Sequence, residues 1–187
     1  MTLQIPRRLI TVEEYHKMAE VGILSDDDHV ELLNGEIIQM SPIKSKHAGH
    51  VNRIDAFLKQ QLGKQAIIAI QNPVQLSEFS EPEPDIAILN YQSDYYITQH
   101  PQVVDVIILI EVSLSTEDLD RQVKLPLYAE AGIREYWIVN LNKKHLEVYR
   151  EPNAAKKDYL DKKIYSKKDE VVLSQFQLTI PISNLIF

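Results

Sequence analysis

The chain has 187 residues, 44% of them hydrophobic and 25% charged, with a formal charge of −7 and no cysteine. This length suits one domain, 1–187, with a sizeable core, and the composition excludes disordered and fibrous classes. The lack of Cys excludes a disulfide scaffold, a thiolate zinc site and a cysteine nucleophile.

No apolar run reaches membrane-spanning length, and the first eight residues lack the hydrophobic stretch of a secretory signal. Both observations predict a soluble cytoplasmic protein with no membrane partner. The acidic balance argues against broad nucleic-acid affinity, which rests on neutralising phosphates with Lys and Arg. Its distribution softens that objection. Residues 143–168 hold nine Lys/Arg against four acids, a net of +5, and leave −12 for the rest. Such a tract suits a phosphate-binding face, and it equally describes a solvated, lysine-protected hairpin edge.

Thr11 with Glu14 forms a capping-box pattern that opens a short helix to about residue 20. Asp26-Asp27-Asp28 reads as a loop. Two short apolar runs around Asn34-Gly35 predict a β-hairpin over 30–33 and 36–40, because Asn-Gly accepts the positive φ angles of a type I′ turn. A helix is expected over 45–63, its apolar stripe being Val51, Ile54, Phe57, Leu58 and Leu62. Strands follow near 66–76, 85–90 and 104–112. The next helix starts near Ser115 or Thr116 and stops at Gly132, a residue suited to the position just past a helix.

Leu119, Val123, Leu127 and Ala131 repeat along that helix and are expected to face the sheet, with a kink or break at Pro126. Two strands, 135–141 and 145–150, form a hairpin around Asn142-Lys143-Lys144. The tail is strand-like and ends on Leu185-Ile186-Phe187, which is expected to pack. The pattern is that of an α/β domain.

Two acids at the ends of apolar β runs carry most of the chemical information. Asp85 stands in Pro84-Asp85-Ile86-Ala87, and Glu111 follows five consecutive aliphatics, Val106 to Ile110. A carboxylate beside an apolar sheet is costly unless it is paired or coordinated. Two such acids on neighbouring strands make an oxygen-donor site for a hard divalent cation. Strand alternation puts Leu109, Glu111 and Ser113 on one face.

Asp120, Lys124 and Tyr128 share one helix stripe. Spacing alone leaves two readings of Lys124. Either it reaches over the sheet end toward Glu111, as metal-dependent phosphodiester chemistry requires, or it forms a surface ion pair with Asp120 worth a few tenths of a kcal/mol. In either case Lys124→Met is expected to leave stability nearly unchanged. Asp85 itself has a bland reading, a strand-entry aspartate bonded to nearby amides.

His47 and His50, one turn apart, lack the acidic or cysteine partners of a dedicated zinc site, and His47 is better read as a polar group near the cleft. Five glycines supply no phosphate loop, and Ser113 and Ser115 lack the context of a serine nucleophile.

These stretches, taken in order, resemble the PD-(D/E)XK, restriction-endonuclease-like nucleases, and more closely their bacterial Uma branch. The matching residues are Glu31-Leu32-Leu33-Asn34-Gly35-Glu36, Met40-Ser41-Pro42 leading to His47, Pro84-Asp85-Ile86-Ala87, Ile110-Glu111-Val112-Ser113, Asp120 with Lys124 and Tyr128, and Gly132 to Val139. The resemblance spans roughly residues 11–185. It implies a restriction-endonuclease-like core, a central mixed β-sheet flanked by helices, with an N-terminal β-hairpin.

It also implies Mg²⁺ or Mn²⁺ held by Asp85 and Glu111, the main-chain carbonyl of Val112 as a further ligand, and a contribution from Glu31. Where the wider superfamily has lysine two residues after the second acid, this chain has Ser113. The Uma branch is similar in this respect, the lysine having migrated to the helix, here Lys124. His47, Asp120 and Tyr128 are supporting residues.

The expected activity is metal-dependent DNA endonucleolysis. The alternative is a catalytically weak or inactive nuclease-fold module that binds nucleic acid or a protein partner. Nucleases of this type that cut both strands often work as two-fold dimers, so a homodimer is expected. The tail (Phe176, Leu178, Ile180, Ile182, Leu185, Ile186, Phe187) could supply the interface or be buried in the chain's own core.

Overall fold

Thr11 and Glu14 exchange both hydrogen bonds of a capping box at 3.2 Å, and this sets the start of helix α1, Val12–Glu20. The computed structural model describes residues 7–25 and 27–187. Residues 1–6, read above for a signal, and Asp26 of the expected Asp26–Asp28 loop lie outside the described residues.

Strands β1 (Val30–Leu33) and β2 (Glu36–Gln39) form the expected hairpin. Asn34 and Gly35 take φ of 52° and 76°, as the type I′ turn demands. Gly35 is required twice over, since a Cβ there would stand 2.6 Å from Leu9 Cβ. Helix α2, Ser45–Leu62, buries Val51, Ile54, Leu58 and Leu62 and half-buries Phe57, so the predicted stripe is the observed one.

Six strands form one sheet: β3 (Ala66–Ile70), β4 (Ile86–Asn90), β5 (Val106–Ser113), β6 (Glu135–Asn140), β7 (His145–Asn153) and β8 (Asp158–Ser166), in the order β3-β4-β5-β6-β7-β8. Only β5 and β6 run parallel, joined by a helical crossover as parallel neighbours require; the other pairs are antiparallel. The sheet is therefore mixed, as expected.

Three details differ from the sequence reading. The strand expected over 66–76 stops at Ile70, because Gln71 adopts φ of 51° and Asn72-Pro73 follow. The chain then makes an excursion over 71–85, tied back by Val74 N–H to Pro82 O (3.0 Å), Gln75 N–H to Pro101 O (2.9 Å) and Glu81 N–H to Leu32 O (2.8 Å). Strand β7 runs on to Asn153, and β8 was not foreseen. As an edge strand it is largely exposed and lysine-bearing, so it shows no apolar alternation to read.

Apolar side chains fill both faces of the sheet. On one, α2 packs with Ile86, Ile88, Ile108, Ile110, Val112, Trp137 and Val139. The tail, containing the pair β9 (Glu170–Leu173) and β10 (Leu178–Pro181), joins this side. Ile180, Ile182, Leu185 and Ile186 are at most 1% exposed there, so these tail residues pack in the chain's own core, while Phe176, Leu178 and Phe187 are half-buried. On the other face, Ala87, Leu89, Leu109, Tyr136 and Ile138 meet Leu125, Leu127 and Tyr128 of the crossover helix.

That helix, α3 (117–131), combines α-helical Glu117–Leu119, a π-helical turn Asp120–Lys124 and α-helical Leu125–Ala131. Pro126 has no N–H to donate and its ring would collide with the carbonyl four residues back. The expected break takes the form of the π turn, in which the Leu125 N–H reaches Asp120 O, five residues back. The turn changes which stripe faces inward. Asp120, Lys124, Leu127 and Tyr128 are buried, while Leu119, Val123 and Ala131, expected against the sheet, are only half-buried. No helix among the described residues is long and apolar enough to cross a membrane.

Candidate active site

The pairing of Ile86 with Ile110 places Asp85, just before β4, opposite Glu111 on antiparallel β5. Each acid then holds the other's strand. The Asp85 amide donates to Glu111 Oε2 at 3.3 Å, and the Val112 amide donates to Asp85 Oδ2 at 2.8 Å. The bland reading of Asp85 is thus partly right, since it does accept a nearby amide. Its other oxygen, Oδ1, meets only the Gln71 side-chain amide, at 3.4 Å.

Lys124 settles its two readings through geometry. Its Nζ donates to Glu111 Oε1 at 3.1 Å and lies 3.2 Å from Glu31 Oε2, whereas its ion pairs do not include Asp120. Lys124, Glu111 and Glu31 are 5%, 4% and 1% exposed, so this is an interior pair and not a surface one. Tyr128 OH donates to the same Glu111 Oε1 at 3.0 Å. The Glu83 amide donates to the same Glu31 Oε2 at 3.0 Å. Asp120, 2% exposed, accepts from Thr116 Oγ1 at 2.8 Å within its own helix. Tyr136 OH donates to its main-chain carbonyl at 3.3 Å.

His47 Nε2 sits 2.9 Å from Asp85 Oδ2, and both side chains retain about 15% exposure, at 15% and 14%. They form the open side of the site. His50 turns elsewhere, to the Lys46 carbonyl at 2.7 Å, so the two histidines do not converge on a metal. Ser113, two residues after Glu111, is also buried, at 1% exposed.

The electrostatics follow from burial. Burial first, then Asp85, Asp120 and Glu31, push the Glu111 carboxyl well above its usual range, against the opposing pull of Lys124. Burial would lower Lys124, yet Glu111, Glu31 and Asp120 outweigh it and raise its pKa, so it is a fixed cation at neutral pH. Burial also pushes Asp120 up to about 6. Tyr128 is raised by burial and by Glu111, and remains a proton donor. His47 is raised chiefly by its hydrogen bond to Asp85.

Asp85 and Glu111 thus bring hard carboxylate oxygens together in a largely buried cleft, with Lys124 between Glu111 and Glu31. Asp85 Oδ1 is lightly engaged on the open side. Residues of this kind fit a small oxygen-seeking divalent cation of the Mg²⁺ or Mn²⁺ type.

The sequence-selected residues Asp85, Glu111, Lys124, Glu31, His47 and Tyr128 are linked in one network. Asp120 belongs to it electrostatically, without direct contact to Lys124. Two contributors escaped the sequence reading. Gln71 was hidden inside an overlong strand, and the Asn72-Pro73 pair after it is the signal that could have exposed it. Thr116 was read only as a helix start, and it also holds Asp120.

The Uma2 family model, described as "Putative restriction endonuclease", matches residues 12–183. Among solved structures, the chain is similar to a "putative nuclease belonging to DUF820" from Anabaena variabilis ATCC 29413. The TM-score is 0.72 at 16% identity, covering 94% of this chain and 97% of that one. At that identity the likeness speaks for the fold. The chain matches no curated protein. With the family model covering nearly its whole length, and with the nuclease-like fold and site described above, the chain belongs to the Uma2 family of restriction-endonuclease-like proteins.

Proposed function

We propose that the protein is a cytoplasmic DNA endonuclease dependent on Mg²⁺ or Mn²⁺, acting as one domain over 1–187. The observation that carries this reading is the buried Lys124 ammonium 3.1 Å from Glu111, an acid within the central strand β5. Asp85, Glu111 and the Val112 carbonyl would hold the cation, which supplies a Lewis acid and a lowered pKa for the attacking water. Lys124, cationic throughout, orients that water through its N–H donors and offsets negative charge growing on the phosphate. It is not the base. Tyr128 and Glu31 fix Glu111 and Lys124 in that geometry, and His47 at the open side aligns Asp85.

Hydrolysis joins the water oxygen to phosphorus and breaks one P–O ester bond. The attacking water releases its proton to solvent, and the departing sugar oxygen takes one up from solvent. The lysines of the 143–168 tract, of which Lys144, Lys156, Lys167 and Lys168 are outside any ion pair among the described residues, give the DNA backbone a landing face. A two-fold dimer would need a surface other than the buried part of the tail.

One observation favours the alternative. Lys124 already neutralises parts of Glu111 and Glu31 without any metal, as in a module that binds nucleic acid or a protein without cutting. Incubating the purified chain with supercoiled plasmid separates the readings. Nicking with Mn²⁺ that stops with EDTA supports the enzyme. No nicking across Mg²⁺, Mn²⁺ and several DNA forms, with DNA still retained in gel shifts, supports the module.

A further inference from the structure

A second group of metal donors lies outside the acid cluster. His16 on α1, Glu81 in the excursion between β3 and β4, and His100 in the loop before β5 bring one ligand atom each to within 4.8 Å of one another. Among the described residues this is the group of three His, Cys, Asp or Glu side chains close enough to share an ion. His16 Nε2 is 2.7 Å from Glu81 Oε1, and the two imidazoles stand with centroids 5.7 Å apart.

Glu81 supplies the second, independent observation. It is 2% exposed, yet its Oε2 is buried with no hydrogen-bond partner. A buried carboxylate oxygen left unpaired costs free energy that a hydrogen bond or an ion must offset. The backbone around the three donors is tied down. Glu81 N–H donates to Leu32 O at 2.8 Å, Gln75 N–H reaches Pro101 beside His100 at 2.9 Å, and Tyr15 OH, next to His16, reaches Val30 O at 3.0 Å.

The geometry points to a second cation site formed by His16, Glu81 and His100, taking Zn²⁺ or a similar imidazole-preferring divalent ion. Two ring nitrogens and one carboxylate are poor ligands for Mg²⁺ and good ones for zinc, with a fourth position left for water. The bound ion would clamp α1, the 71–85 excursion and the 91–102 loop together, three segments otherwise joined by single backbone bonds. This inference is independent of the endonuclease reading, since it uses none of that site's ligands.

Zinc titration calorimetry on the full chain tests it, with Co²⁺ absorption as a second readout. The chain carrying Asp85→Asn should still bind one Zn²⁺ and show the ligand-field bands of tetrahedral cobalt. His16→Ala and His100→Ala should each weaken Zn²⁺ by more than about tenfold, because even an outer partner of a metal ligand is worth 10–100-fold. His100 is exposed on a loop, so that variant folds even if the helix substitution does not. Wild-type zinc affinity in the His16→Ala, His100→Ala double variant would overturn the site. So would its loss in the Asp85→Asn chain, or no zinc binding by the wild type.

Discussion

Asp85 and Glu111 are locked to each other through their backbones: the Asp85 amide donates to Glu111 Oε2 at 3.3 Å, while the amide following Glu111 donates to Asp85 Oδ2 at 2.8 Å. Removing charge at either position while keeping an acceptor should therefore leave the strand register intact. Asp85→Asn is expected to fold with a melting temperature at or above that of the wild type, because its repulsion with Glu111 is relieved, whereas Glu111→Gln should melt lower, since its NH2 must face either the Asp85 amide or the Lys124 and Tyr128 donors. Both should lose Mn²⁺ binding by calorimetry. Unchanged Mn²⁺ affinity in either variant would remove that residue as a ligand.

Lys124 makes a sharper case than its sequence suggested. On spacing alone, Lys124→Met is expected to be nearly neutral. In the folded chain the ammonium is 5% exposed between Glu111 and Glu31, so its removal leaves buried acids without their cation. The expected cost at neutral pH is about 3–5 kcal/mol, the scale for breaking a buried pair from one side. Saturating Mn²⁺ should restore part of it, as a ligand that binds the native state does. At a temperature where circular dichroism shows the variant folded, plasmid nicking should fall by roughly 10²-fold or more. Equal nicking rates would take Lys124 out of the mechanism.

Much of this arrangement was legible from local chemistry, and the exceptions share a cause. The hairpin followed from Asn34-Gly35, α1 from Thr11 and Glu14, and the burial of Glu111 from the five aliphatics before it. The misread features depend on partners distant in sequence. The excursion from Gln71 to Asp85 is held by bonds to Leu32 and Pro101, although the end of the strand at Ile70 is itself marked locally by Asn72-Pro73. The inward stripe of α3 is set by the π turn that Pro126 imposes and by acids on β1 and β5. No helical periodicity in 117–131 alone could rank a stripe of Asp120, Lys124 and Tyr128 as more deeply buried than one of Leu119, Val123 and Ala131.

Asp120 gives a pH signature. Burial raises its pKa from 3.8 to about 6, so the folded state holds the proton more tightly than the unfolded state does. Its contribution to stability therefore falls as pH rises from about 4 to about 6. Asp120→Asn should be more stable than the wild type above pH 6, by up to about 3 kcal/mol, and indistinguishable from it near pH 4. Thermal melts across that range check the sign. A variant less stable at pH 7 would mean that Asp120 is held as a needed anion.

The final prediction concerns how α3 is held in register. Arg121, within the π turn, forms an ion pair with Glu147 on β7, its Nε donating to Glu147 Oε2 at 3.2 Å. Tyr149 OH at 2.6 Å and His145 at 2.9 Å also reach that fully buried carboxylate. Burial pushes Glu147 up, but the bonds from Arg121, Tyr149 and His145 win and hold it at about 2. Its stabilising contribution is thus present above about pH 4.5 and lost as pH falls toward 2. Arg121→Met should destabilise the chain by about 1–3 kcal/mol at neutral pH, less than a complete pair loss because other donors remain. It should also move acid unfolding to higher pH. Because Arg121 and Lys124 share one helical turn, nicking should drop while Mn²⁺ affinity stays within about twofold of the wild type. A variant with wild-type acid stability and wild-type nicking would show that α3 is positioned by its apolar contacts alone.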